Sequence, residues 1–194
     1  ATELSAIGGA TTGIVNLSGA VTISGTADEI TAALVTSGTK VVASKANTTA
    51  AVDGTVTAQA GKDFNDISNV NATFSGVSDN IGNLTNGSGN AISSNLNVIV
   101  GADGTVAITV SDADGTAITA QQLSVVGSAT TGDVTVTNAV AISGSRDQLT
   151  SALVNAGSKV EVSDATVTIN DADASSINAE DLSAIGGTTT GTVT

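Results

Sequence analysis

Apolar and polar residues alternate through Val134-Thr135-Val136-Thr137, Val160-Glu161-Val162, Ala165-Thr166-Val167-Thr168-Ile169 and Val106-Ala107-Ile108-Thr109-Val110. A period of two sends successive side chains to opposite faces, so each segment predicts a half-buried strand. Elsewhere the apolar spacing lengthens to three and four. Ile30, Ala33 and Leu34 follow Thr26-Ala27-Asp28-Glu29, and Gly38 comes after them. Thr with Glu at the third position beyond it forms a capping box, and Asp28 suits the positive end of the helix dipole. Gly38 suits the left-handed residue that closes a helix. Ser145 to Gln148, with Gly157, repeat this signal. A shorter helix is predicted from Thr119 to Gln122 with Leu123, Val126 and Gly127, and again from Asn178, Asp181, Leu182, Ile185 and Gly186. Ser18-Gly19, Asp53-Gly54, Asp103-Gly104 and Asn138 punctuate these elements as turns.

The pattern recurs because the sequence itself recurs. Leu4-Ser5-Ala6-Ile7-Gly8-Gly9-Ala10-Thr11-Thr12-Gly13 returns from Leu123 to Gly132 and from Leu182 to Gly191. The step from Leu123 to Leu182 is half the step from Leu4 to Leu123, which implies a module of about 60 residues. Leu4–Ser44 and Leu123–Ser163 align without a gap, and 22 of the 41 positions are identical, mostly Gly, Thr-Thr-Gly and apolar residues. The middle module is degenerate. It opens at Ile67-Ser68, and its Ser75 to Ile81 echoes Ser24 to Ile30 and Ser143 to Leu149. Ser75 follows Ile67 much sooner than Ser24 follows Leu4 or Ser143 follows Leu123, so one strand and turn are shortened. The modules are 1–62, 63–118 and 119–177, with a further one starting at 178–194.

Units this small cannot bury an apolar face alone, so neighbours must stack. The expected fold is mixed β with short helices, an elongated repeat solenoid of stacked strand–helix coils. The alternative is a string of small β-sandwich domains, which typically need about 100 residues each.

Composition narrows the picture. Pro, Cys, Met, Trp, Tyr and His are absent, and Phe64 and Phe74 are the only aromatic residues. The core is therefore built from Val, Ile, Leu and Ala, with Thr on strand faces. Mean hydropathy is +0.29, yet no run approaches the ~20 apolar residues of a membrane span. Net charge is −13 with only 5 Lys plus Arg, which makes nucleic acid and anionic membrane poor partners. Such an acidic chain suits an extracellular setting where cations screen it. There is no basic signal-peptide start, and the chain reads as a slice of a longer array or one unit of a polymer.

Without His or Cys, the Ser and Thr hydroxyls lack an obvious activating base, so no enzymatic activity and no catalytic residues are expected. The Gly82 to Gly89 stretch lacks the Lys of a phosphate loop. The best chemical candidate is a repeated pair of carboxylates. Asp112-Ala113-Asp114 stands in the same place ahead of Leu123-Ser124 as Asp171-Ala172-Asp173 does ahead of Leu182-Ser183. Asp112, Asp114, Asp171 and Asp173 are thus candidate metal ligands for Ca²⁺, a hard cation that takes oxygen donors. The other reading is that they close Asx turns between strand and helix. Asp28, Asp79 and Asp147 recur at matching helix starts, where dipole stabilisation explains them. Lys40 and Lys159 also match; helix C-terminal charge complementarity is the simpler reading, and a Lys–Asn isopeptide link the other. Asn16, Asn47, Asn71, Asn83 and Asn86 head N-x-[ST] triplets that would permit glycosylation.

The segments Leu182 to Gly187, Thr189 to Thr194 and Ala165 to Ile169 resemble the repeats of very large bacterial surface proteins, as in cyanobacterial giant cell-surface, motility and adhesin-like chains. The resemblance covers most of the chain except 64–95. It implies a cell-surface, calcium-rich setting and a structural or adhesive role. The expected function is an extracellular stalk, spacer or filament that stacks end to end, by head-to-tail self-association or with further repeats of the same chain. The alternative is a calcium-dependent adhesin or ligand-binding module, which the near absence of aromatics disfavours.

Overall fold

The computed structural model describes residues 1–36, 38–67, 69–172 and 176–194. Helix α1 (Thr2–Ala10) leads into β1 (Val15–Asn16), β2 (Val21–Gly25) and α2 (Ala27–Leu34). Then follow β3 (Val41–Val42), β4 (Thr48–Val56), α3 (Ala58–Ile67), β5 (Asn71–Asp79), α4 (Ile81–Leu84) and α5 (Ser94–Ala102). The second half runs β6 (Ile108–Val110), β7 (Ala117–Thr119), α6 (Ala120–Gly127), β8 (Val134–Val136), β9 (Ala141–Gly144) and α7 (Arg146–Leu149). A π-helical turn (Thr150–Val154) extends α7, and β10 (Val160–Val162), β11 (Thr166–Ile169) and α8 (Ala179–Gly186) close the chain.

These elements form an α/β fold with parallel sheets, which corrects the expected solenoid of stacked strand–helix coils and its sandwich alternative. Strands β2, β4, β5, β6, β8 and β10 pair side by side in one six-stranded sheet, every pair parallel. β7, β9 and β11 form a second parallel sheet, and β1 with β3 a third. The alternation of polar and apolar residues indicates the faces of each strand but not its lateral neighbour. That neighbour is set by crossovers, whose helices cover the sheet and build one continuous core. Ile30, Leu84, Leu96, Ile108, Leu123, Ile142, Leu149 and Ile185 are fully buried within it. The sheet runs unbroken across the expected module boundaries after Lys62 and Ile118, through β4–β5 and β6–β8.

The step between paired strands is shorter than the sequence repeat. Ile108, Val134 and Val160 stand in line across the sheet, and the same step along the chain separates Val15 from Val41 and Val167 from Val193. One strand, β5, lies between α3 and α4, where two lie between α1 and α2 and two between α6 and α7. Losing that strand moves the later copies sideways. β1 pairs in the two-stranded sheet, while its sequence counterpart β8 lies in the six-stranded one. The middle is filled instead by Phe64 against Phe74, edge to face at 6.3 Å.

Three capping boxes fall where the sequence puts them, on Thr26/Glu29, Thr119/Gln122 and Ser145/Gln148. The helix closures differ. α2 ends at Leu34 with Val35 as its cap, and Gly38 takes its positive φ of 102° in the turn beyond. At the matching place Lys159, not Gly157, is left-handed, with φ 57°. Ser68 lies outside the described residues.

Successive strands are also tied through side chains. Thr130 donates to Val106 O at 2.7 Å, Thr131 to Gly104 O at 3.2 Å, Thr189 to Ala165 O at 2.6 Å and Thr190 to Ser163 O at 2.8 Å. Asn69, Asn71 and Asn138 donate to the carbonyls of Ala43, Lys45 and Asp112, and Asn47 to Leu17 O. In two of the Thr-Thr-Gly motifs the glycine lets the backbone press close: a Cβ on Gly132 would sit 2.4 Å from Thr105 O, and one on Gly191 2.2 Å from Ala165 O. In α6 a Cβ on Gly127 would meet Ser158 O at 1.9 Å.

This contact yields a paired test. Gly127→Ala should destabilise by about 3 kcal/mol or more, because backbone must move to relieve overpacking. Its counterpart Gly186→Ala, with nothing within 4 Å, should be neutral or stabilise by up to about 1 kcal/mol. Urea melts of the two variants check the contrast.

Candidate functional site

The repeated carboxylates sit at strand exits. Each follows a Val-Ser or Ile-Asn pair: Val77-Ser78-Asp79, Val110-Ser111-Asp112, Ile169-Asn170-Asp171. Each lies just past the last position that pairs with the preceding strand of its sheet, directly beside the first residue of the helix that follows that preceding strand. Asp79 Oδ2 accepts from Ala58 N at 3.0 Å, Asp112 Oδ2 from Ile81 N at 2.6 Å, and Asp171 Oδ2 from Arg146 N at 2.6 Å. A helix start leaves its first amides without partners, and a neighbouring carboxylate satisfies one of them while meeting the positive dipole end. The next strand thus supplies a cap that adds to the helix's own, Thr57 for α3 and the Ser145/Gln148 box for α7, and that stands alone at α4, whose Asn80 makes no side-chain cap.

Asp79 differs from the expected role at its own helix start. Its Oδ2 serves α3, while its Oδ1 accepts from Asn80 N and Asn83 Nδ2 at 2.9 and 2.7 Å. The N-cap of α4 is Asn80, so the degenerate copy is out of step with the alignment that the Ser-Gly echo suggests. Asp28 and Asp147 do lie in first helical turns.

The structure does not bring Asp112 and Asp114 onto a common point. Asp112 is buried and bonds toward Ile81, and its carbonyl accepts from Asn138 Nδ2 at 2.6 Å. Asp114 Oδ1 turns the other way and accepts from Ala139 N at 3.0 Å. Asp171 bonds to Arg146 N, and Asp173 lies outside the described residues. Among the described residues no group of three or more His, Cys, Asp or Glu is placed to hold a metal ion. The signal missed in the sequence is the apolar-polar-Asp triplet at strand exits.

Asp103 plays a related part. Burial pushes its carboxyl up, but the Phe74 amide and the Thr105 hydroxyl and amide outweigh that and hold it below the usual aspartate range. Arg146 bridges Asp147 at 2.9 Å and Asp181 at 2.8 Å, which ties α7 to α8; the Asp181 hydrogen bond, with the charge of Asp147, raises the guanidinium further. A shallow cleft of about 320 Å³ at the start of β5, with Lys45, Asn65 and Asn71, carries one cation and no carboxylate. Strand order in the large sheet never reverses, so it lacks the switch-point crevice where open α/β sheets bind ligands. Among the described residues no helix is long and apolar enough to cross a membrane.

What distinguishes the ends of the molecule is apolar exposure at repeat-equivalent positions. Leu123 and Val126 are fully buried inside. Leu182, the counterpart of Leu123, is 41% exposed, and Ile7, the counterpart of Val126, is 54% exposed.

Comparison of the chain with family models, curated proteins and solved structures finds no match.

The carboxylates generate two tests. Asp112→Ala should cost about 1–2 kcal/mol through the lost cap, and Asp112→Asn less, because an amide oxygen can still accept. Thermal melts with calcium and with chelator read the metal question on the same samples: calcium ligation gives a chelator-sensitive melt, and capping alone does not. The depressed Asp103 stabilises the fold above its unfolded-state pKa. That stability is lost as pH falls through the lower folded value. Asp103→Asn should therefore flatten the acid limb of the stability–pH curve.

Proposed function

We propose that the chain is an extracellular structural repeat protein that forms a stalk, spacer or filament at the cell surface by end-to-end stacking. The observation that carries the reading is a sheet of parallel strands in chain order, together with Leu182 and Ile7 exposed at positions whose counterparts Leu123 and Val126 are buried in the interior copy. A parallel sheet whose strands follow chain order has two different edges. Growth from such edges is heterologous and continues unless a rotation closes it. Contacts between neighbours are made by short hydroxyl, amide and carboxylate groups to backbone, which serves cohesion along the strand-stacking direction rather than recognition of a varied ligand. The chain acts without catalysis in this role, and its acidic surface keeps it from nucleic acid. The resemblance to giant bacterial surface repeats agrees with this reading.

Small-angle scattering on one chain and on a covalent tail-to-head fusion of two chains tests it. The fusion should have nearly twice the maximum dimension at an unchanged cross-section. A fusion that thickens instead, with copies side by side, would sink the structural reading.

A further inference from the structure

Asn86-Gly87 is the single Asn-Gly pair in the chain, and it lies in the link between α4 and α5. Of the residues that can follow asparagine, glycine shields its own backbone nitrogen least, because it has no Cβ. That nitrogen is the nucleophile when an asparagine side chain loses ammonia. It bonds to Cγ, the Cγ–Nδ2 bond breaks, and the displaced proton leaves with Nδ2 as ammonia while a cyclic imide closes. Water then opens the ring at either carbonyl, giving aspartate or isoaspartate. Water enters and ammonia leaves, with no change of oxidation state. Gly87 is exposed, and among the described residues its N–H donates to no other group. The nucleophile and water are therefore both at hand.

The fold restrains the other reactant. Asn86 is half-buried, and its Nδ2 donates to Asn90 Oδ1 at 2.9 Å while its Oδ1 accepts from Asn90 N at 3.1 Å and Ala91 N at 3.4 Å. The main chain is held as well. Asn86 N donates to Ala91 O, Gly89 N to Asn86 O and Ser93 N to Leu84 O, each at 2.9 Å, and Thr85 bridges Ile92. Ring closure swings the carboxamide onto the Gly87 nitrogen and turns its planar carbon tetrahedral, so these bonds must give way first. The turn is also packed from above. Gly89 is buried at φ 67°, and a Cβ there would meet Cγ of Gln122 at 2.8 Å, the residue that closes the capping box on Thr119.

We propose that Asn86 is a modification site gated by the fold: the native turn holds it closed, and it loses ammonia when the Thr85–Ile92 link opens. The reaction runs one way. Isoaspartate carries the main chain through Cβ and Cγ, which lengthens it by a carbon and displaces the carbonyl that Gly89 N bonds, so the original turn does not re-form. Aspartate keeps the acceptor oxygens but loses the donor to Asn90 Oδ1 and adds a negative charge to a chain already at −13. Each opening that ends in reaction is thereby recorded in the covalent structure. The inference stands independently of the structural reading above.

The whole chain, folded or unfolded in guanidinium, is incubated in mildly alkaline buffer, and fragment mass spectrometry follows the conversion of Asn86. The unfolded chain should convert at Asn86 ahead of its other asparagines, and Gly87→Ala should slow that conversion by shielding the nitrogen. The folded chain should convert at least about tenfold more slowly, because the open form must be reached first. Asn90→Ala, at an exposed position, removes the acceptor of Nδ2 and should raise the folded rate several-fold while leaving the unfolded rate and the melting temperature nearly unchanged. Equal rates in the two states overturn the proposal. So does a faster folded rate, which would mean that the Asn90 and Ala91 amides activate the carbonyl rather than restrain it. A folded Asn90→Ala variant that converts no faster than the parent, or an unfolded chain in which Asn86 stays intact, overturns it too.

Discussion

The parallel register between successive strands is the constraint on which the rest of the molecule depends. With Val134 held beside Ile108 and Val160, and Ile169 beside Gly144, groups a few residues away are also brought beside the neighbouring segment. This is why a hydroxyl from Thr130, an amide from Asn138 and a carboxylate from Asp171 can each find a backbone partner one strand step back along the chain. No individual strand could fold alone: β6, β8 and β10 have three residues each. Their stability comes from lateral pairing and from helices that cover the sheet, as parallel sheets require. The lack of proline fits this economy, since each missing N–H would break a ladder bond.

Charge is part of the same arrangement. The carboxylates outnumber the cations by more than three to one, yet several of them are engaged with backbone amides rather than with Lys or Arg. An aspartate can do this because two oxygens on a short stem reach one helix start and leave the second oxygen for a turn, as Asp79 does. The few cations work locally: Lys62 pairs with Asp66 within α3, and Arg146 joins two helices.

Local chemistry was legible in the sequence and lateral chemistry was not. Thr26 with Glu29, and Asn178 with Asp181, announce helix starts because the bonds they make lie within a single helical turn. The triplet Val110-Ser111-Asp112 says nothing about Ile81, which is distant along the chain and reached only because β5 and β6 pair. The D-A-D repeat was visible, but the opposed directions of Asp112 and Asp114 depend on having a strand on each side. The repeat length misled for a similar reason. The spacing from Leu123 to Leu182 is more than twice the spacing from Ile108 to Val134, so each sequence repeat spans more than two strand steps. A single shortened spacing in the middle, between Ile67 and Ser75, then shifts homologous strands into different sheets. Helices α3 and α5, in the degenerate part, had no partner copy to compare with.

Glycine placement links the interior of the molecule to its ends. At Gly127 and Gly132 the absence of a side chain is a steric necessity, because backbone from a neighbouring strand segment occupies the space. At Gly13 and Gly186 no such necessity exists within the chain, and alanine would be the better helix residue at Gly186. Exposure of Ile7 and Leu182, whose counterparts Val126 and Leu123 are buried, carries a similar cost in water. The same glycine and apolar positions are thus steric and hydrophobic necessities where a neighbouring strand segment is present, as around Leu123 to Gly132.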